Sequence, residues 1–284
     1  MSYRSPLSIV VLCAALAAPI AAAAADASYP DWKGQWRAIQ RGGGNPPFDP
    51  SKPPGNGQGA PLNAEYQAIF EANRVDQAAG GQGTASTYTC LPPGMPRTMT
   101  AYGPMEIVIT PDTTYLLIEY IRDNRRIFTD GRAFPADLEP SFEGYSIGRW
   151  LASAGDGHYD ELDVETRGPF KGPRSYDASG LPLHKDNETI VKERFFLDKA
   201  NPDILHIEMT TTDSSLIRPW TATKNFRRSR KVLWTENNCT EGNNHVEIGN
   251  ENYYLSGDGY LMPARKNQPA PDLRYFKTQK QTSN

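Results

Sequence analysis

The chain has 284 residues, 38% of them hydrophobic, with 30 basic and 33 acidic side chains and a net charge of −3. That is enough for one large domain or two small ones with a real core. The mildly acidic balance, without long runs of like charge, speaks against a nucleic-acid partner.

Arg4 opens a short positive region, residues 7–18 are an apolar run too short to span a membrane with ease, and the alanines at 21–25 offer A-x-A cleavage sites before Asp26. This is the pattern of a secretory signal peptide over 1–25, and it predicts a periplasmic or secreted chain without a membrane span. Cys13 lies inside the apolar run behind Leu12, where lipoprotein processing needs a small residue, so a lipid-free mature chain is expected from about Asp26. Loss of Cys13 leaves Cys90 and Cys239. In an oxidising compartment two thiols are expected to pair, closing a loop of about 150 residues worth roughly 5 kcal/mol at most.

Residues 29–37 hold Trp32, Gly34 and Trp36, and the Gly-x-Trp pair is similar to the opening strand of lipocalin-like barrels. Residues 42–61 are too rich in Gly, Pro and Asn for regular structure. Residues 62–79 predict a helix: Asn63 caps it, Tyr66, Ile69, Phe70 and Val75 form an apolar stripe for the core, and Gly80-Gly81 stops it. Together, 26–104 form an N-terminal arm with one helix.

Strands follow at 105–110, 114–120, 125–129, 145–152 and 159–167, with turn residues Pro111-Asp112 and Gly155-Asp156-Gly157 between neighbours. A Gly- and Pro-rich loop spans 167–186. Three further strands, 188–197, 203–212 and 216–226, are separated by turn chemistry at 198–202 and 213–215. With 231–236 the count reaches about nine, a meander whose open edges closure would remove. The expected fold is all-β: an antiparallel up-and-down, lipocalin-like barrel over 105–239, with a two-sheet sandwich as the alternative. Residues 240–284 read as an extended C-terminal wrap. The basic knot 227–231 reads as solvated surface at a hairpin turn.

At 125–132 (Arg-Arg-Ile-Phe-Thr-Asp-Gly-Arg), 144–150 (Gly-Tyr-Ser-Ile-Gly-Arg-Trp), Glu193-Arg194, 218–221 (Arg-Pro-Trp-Thr) and Gly94-Met95-Pro96-Arg97, the chain resembles a group of secreted bacterial proteins that also have cysteines placed like Cys90 and Cys239. The resemblance implies a secreted, β-rich domain and assigns no catalytic residue.

Residues 144–148 match the G-x-S-x-G pattern of a nucleophile elbow, which needs a strand turning sharply into a helix. Here Ser146 leads into another strand, so Gly144 and Gly148 read as bend or close-approach positions instead. Strand parity puts Glu193 on an apolar face with Val191, Phe195 and Leu197. A carboxylate inside a barrel must be paired or give up its charge, and Arg126, Arg194 and Arg218 are the candidate partners. Asp177 and His184, in a loop near the barrel mouth, are candidates for an acid–base pair. The four histidines lack ligand spacing for zinc, and 152–163 lacks the first acidic ligands of a calcium loop, so neither metal nor cofactor is expected.

The leading expectation is a barrel that binds a small, largely apolar molecule through Trp150, Phe195, Trp220 and Arg126, with Tyr115 and Phe128 also available. The alternatives are a barrel enzyme using Glu193, or Asp177 with His184, for proton transfer, and an envelope interaction protein using the terminal arms.

Overall fold

The computed structural model of the protein describes residues 29–39, 59–79, 91–100, 103–120, 124–153, 155, 157–171, 174–177, 179–184, 186, 188–234, 245–248, 251–256 and 260–271. The expected signal peptide and both cysteines of the expected disulfide, Cys90 and Cys239, lie outside them.

Nine strands close into a barrel in chain order: β1 Gln35–Ala38, β2 Met105–Ile109, β3 Thr113–Ile118, β4 Asn124–Phe128, β5 Tyr145–Leu151, β6 Glu161–Arg167, β7 Ile190–Leu197, β8 Ile204–Thr212 and β9 Trp220–Ser229. The two-sheet sandwich is thereby excluded. An odd number of strands cannot alternate in direction all the way round a ring, so at least one junction must be parallel. That junction is β4–β5, with Ile127 opposite Ser146 and Phe128 opposite Ile147. Residues 129–144 return the chain to the end where β4 began. Every other junction is antiparallel, as the turn chemistry predicts.

Closure depends on β1, which pairs with β9 from Gln35–Ser229 to Ala38–Phe226 and with β2 at Trp36–Met105. Trp36 is fully buried, its indole Nε1 donates to the Trp32 carbonyl at 3.0 Å, and the Arg228 guanidinium lies 4.6 Å from its ring centroid. The basic knot therefore needs correction. Arg227 and Arg228 belong to β9, and Arg228 is buried, donating to Asp31 and to the carbonyl of Pro202. Residues 231–234 are not a strand.

Side chains on alternate positions fill the interior. Registers across β5 to β9 define three inward-facing rows: Ser146–Thr166–Val191–Thr211–Trp220, then Gly148–Val164–Glu193–Met209–Ala222, then Trp150–Leu162–Phe195–Ile207–Lys224. Leu116, Ile127, Leu162, Phe195, Leu205 and Ile207 are fully buried. Each such side chain contributes roughly 1.5–3 kcal/mol relative to exposure. Gly148 is glycine because a Cβ there would lie 2.6 Å from Ile127 Cγ2.

One end of the barrel is capped by helix α1, Ala64–Ala78, and by the described residues of the stretch between β6 and β7. Asn63 caps α1, its Oδ1 accepting from Tyr66 N at 3.0 Å while its own Nδ2 and N donate to the carbonyls of Ser214 and Ser215 after β8. Tyr66 and Phe70 are buried, but Val75 is 71% exposed, so the apolar stripe ends a turn earlier than its spacing suggested. Beyond it the contacts are polar: Asn73 donates to the Gly180 carbonyl at 3.1 Å. Gly180 has φ +79°, and a Cβ there would press on Gln77. In the C-terminal stretch, β10 His245–Ile248, β11 Glu251–Leu255 and β12 Leu261–Pro263 form a small antiparallel sheet.

Candidate ligand site at the capped end of the barrel

Two oppositely charged side chains are buried inside the barrel. Arg125, on β4, is 1% exposed, and Glu193, on β7, is 3% exposed. Arg125 donates to both carboxylate oxygens of Glu193, with Nη1 to Oε1 at 2.9 Å and Nη2 to Oε2. Its remaining donors go to the Ser146 hydroxyl at 3.2 Å and to Thr166 Oγ1 at 2.8 Å, and the two hydroxyls are themselves 2.8 Å apart. This satisfies a buried ion pair on every side, which is the condition under which such a pair persists away from water.

The partner of Glu193 is therefore Arg125. Arg126 is exposed on the outer face, because adjacent strand residues point to opposite sides. Arg194 is also outside, bound to Glu161 at 2.7 Å and to Glu208 at 3.2 Å. Ser146 accepts from a guanidinium rather than facing a histidine, so it is not arranged as a nucleophile. Both glycines of the G-x-S-x-G run answer to packing: a Cβ on Gly144, at φ +66°, would meet Phe170 and the Arg167 carbonyl.

Beside this network stands a group of polar side chains with no protein partner. Trp220 begins β9, and its Cα partner across the sheet is Thr211 at the end of β8. Tyr176, from the capping loop, lies over the inner face of β9, its ring centroid 4.4 Å from that of Trp220. Two positions past Ala222, Lys224 faces the same way by strand alternation, its Nζ 5.4 Å from the Tyr176 ring centroid. The small side chain of Ala222 leaves room for the tyrosine between its larger neighbours. Thr211, Tyr176 and Trp220 are 0%, 1% and 3% exposed, yet Thr211 Oγ1, Tyr176 Oη and Trp220 Nε1 have no hydrogen-bond partner. Lys224 is partly buried and forms no ion pair among the described residues.

The electrostatics match. Burial pushes the Tyr176 phenol up, helped by the charges of Asp177 and Glu193, so it stays neutral and able to donate. Burial also lowers the Lys224 ammonium, with Asp177 pulling partly the other way. Arg174, at the same end, is lowered to about 10 by burial, against the opposing charges of Asp213 and Asp186. It donates to the Met95 carbonyl at 3.0 Å and to Thr189 Oγ1 at 2.8 Å.

The other residues singled out by sequence are dispersed. Asp177 accepts from Ser179, and His184 meets Asp186 at 2.9 Å and the Tyr66 ring at 5.2 Å, so each is engaged outside an Asp177–His184 pair. Phe195 is core. Trp150 lies toward the open end, in an aromatic group with Tyr29 at 5.3 Å and Trp32 at 4.9 Å. Trp220 alone of the four expected ligand contacts adjoins the unpartnered group. Tyr115 and Phe128 face outward by alternation, Phe128 stacking on Tyr145 at 4.9 Å. Sequence reasoning missed Tyr176, Thr211, Lys224 and Arg125. For Lys224 the signal was present: Trp220, Ala222, Lys224 and Phe226 share one parity. For Tyr176, in an irregular loop, no periodicity exists to read.

A concavity of about 500 Å³ lies on the outer face of β5 to β8. It is crossed by the row Arg149–Asp163–Arg194–Glu208, where charges alternate in sign. Lys192 and Arg194 are paired with acids there, which leaves few groups to recognise a ligand. The capped end, with buried donors unspent, is the stronger candidate. Among the described residues no three His, Cys, Asp or Glu side chains come together to hold a metal ion. No family model matches the chain, and no curated protein matches it either.

Proposed function

We propose that this protein is a periplasmic or secreted β-barrel that binds a small, largely apolar molecule at its capped end. The observation that supports this is the group of Tyr176, Thr211 and Trp220, three side chains at least nine-tenths buried whose polar atoms have no partner among the described residues. Leaving one such group unsatisfied costs about 1–3 kcal/mol, so three together call for a molecule that completes them. The rings of Tyr176 and Trp220 supply the apolar contact, and the polar atoms fix orientation, the usual division of labour in a small-molecule site. Elsewhere in the barrel the indole N–H of Trp32 and of Trp150 and the hydroxyl of Thr114 are also buried without a partner among the described residues, but no third such side chain joins the two indoles. Proton transfer by Glu193 is a weaker reading, because both its oxygens are held by Arg125.

The test is mass spectrometry of the purified protein, first native and then after denaturation. A retained small molecule is expected in wild type and depleted in Tyr176→Phe/Trp220→Phe, a variant that keeps an aromatic ring at each position and removes two donors. Retention equal in both proteins, or a native mass with nothing bound that no small-molecule extract changes, would contradict the reading. A buried water completing the same atoms would give that second result.

A further inference from the structure

We infer that the ligand of the capped end is a monocarboxylate with an apolar body, and that Lys224 is its counter-ion. This rests on the ligand-binding reading above and adds the chemical class.

The unpartnered group is rich in donors. An indole N–H only donates, an ammonium only donates, and a phenol kept neutral by burial donates through its O–H. Trp220 and Lys224 both lie against the Tyr176 ring, and with the Thr211 hydroxyl beside Trp220 they make a donor-rich wall around it. A neutral molecule with its own N–H or O–H groups matches such a set poorly, whereas a carboxylate is acceptor-only and takes several donors at once.

The charge balance points the same way. Arg125 and Glu193 neutralise each other. Arg174 donates to the Met95 carbonyl and to Thr189, whose hydroxyl in turn donates to Asp213, and both Asp213 and Asp186 offset its charge. Lys224 is inward-facing and partly buried and forms no ion pair among the described residues. Asp177 is its acidic neighbour in charge alone, and that carboxylate is held by Ser179. One ammonium suits a monoanion; a phosphate would call for a guanidinium fork, which Lys224 does not supply.

The experiment compares medium-chain monocarboxylates with primary alcohols of the same chain length. Binding is followed by calorimetry on protein stripped with a hydrophobic resin, for wild type and for Lys224→Met. Wild type is expected to bind the acids at least about tenfold more tightly than the matching alcohols, as a charge-assisted contact would give. Lys224→Met should erase that gap and retain the alcohol affinity. Equal affinity for acid and alcohol in wild type would overturn the monocarboxylate assignment and leave the ligand site standing. A preference for the acid that survives Lys224→Met would overturn the role of Lys224. If neither series binds, the molecule retained by unstripped protein decides: an organic acid supports the inference, a neutral compound refutes it, and no retained molecule removes the ligand-binding reading as well.

Discussion

Glu193 and Lys224 are both charged residues on the inner face of the barrel, and they have opposite fates. Glu193 is fully paired with Arg125, so Glu193→Gln should cost roughly 3 kcal/mol, since it leaves a buried guanidinium without its counter-charge. Equilibrium denaturation measures this, and a midpoint unchanged from wild type would contradict the pairing. Lys224 has no partner, so its removal should stabilise. Burial lowers its pKa, so the unfolded chain holds that proton to higher pH than the folded one. The buried charge therefore costs stability fully below the folded pKa, and the cost fades as pH climbs from there to the unfolded value. Lys224→Met should gain about 1 kcal/mol at neutral pH, the gain shrinking in alkaline buffer. A loss of stability at neutral pH would show that Lys224 is paired after all. Strand parity made the inward position of Glu193 legible in the sequence, but not which arginine meets it. Arg125 and Arg126 are neighbours in sequence and point to opposite sides, and only the register of β4 against β5 distinguishes them.

Among the elements, the strands were the most readable, because tight turns and period-two alternation fix both their ends and their faces. The helix was readable from its cap: Asn63 does what its position predicts. Its far half was not, because Val75 continues the spacing but has nothing to pack against. Strand β1 was readable only through its Gly34-x-Trp36 pair, which resembles an opening strand. It is only Gln35–Ala38, too short for alternation to show, though its Trp36 had marked it as buried. The parallel β4–β5 junction has no local sequence signal; it follows from closing an odd ring. At that junction Gly148 admits Ile127 and Leu162. Gly148→Ala should therefore overpack the seam and cost about 1–3 kcal/mol, read as a lower denaturation midpoint with unchanged far-ultraviolet dichroism. A neutral or stabilising effect would mean that the seam is looser than described.

At the scale of the whole molecule, the barrel is a packed core over most of its length, with Tyr176, Thr211 and Trp220 gathered without partners at one end. The layers formed by Leu162, Val164, Phe195 and Ile207 hold the strands in register. The cap, built from α1 and the described residues between β6 and β7, sets Tyr176 against Trp220. A barrel stabilised only for its own sake has little reason to bury an indole N–H, a phenol and a hydroxyl without partners among the described residues beside a lysine, which supports the proposed ligand site at the capped end. The most direct measurement of that claim is nuclear magnetic resonance of the indole N–H groups. The chain has five tryptophans, so each resonance can be assigned by substitution. On titration with the small-molecule extract of cells that make the protein, the Trp220 Nε1–H resonance should shift downfield and become protected from exchange, while those of Trp32, Trp36 and Trp150 stay in place. A Trp220 resonance that does not move, or movement confined to Trp32 and Trp150, would contradict a ligand site at the capped end.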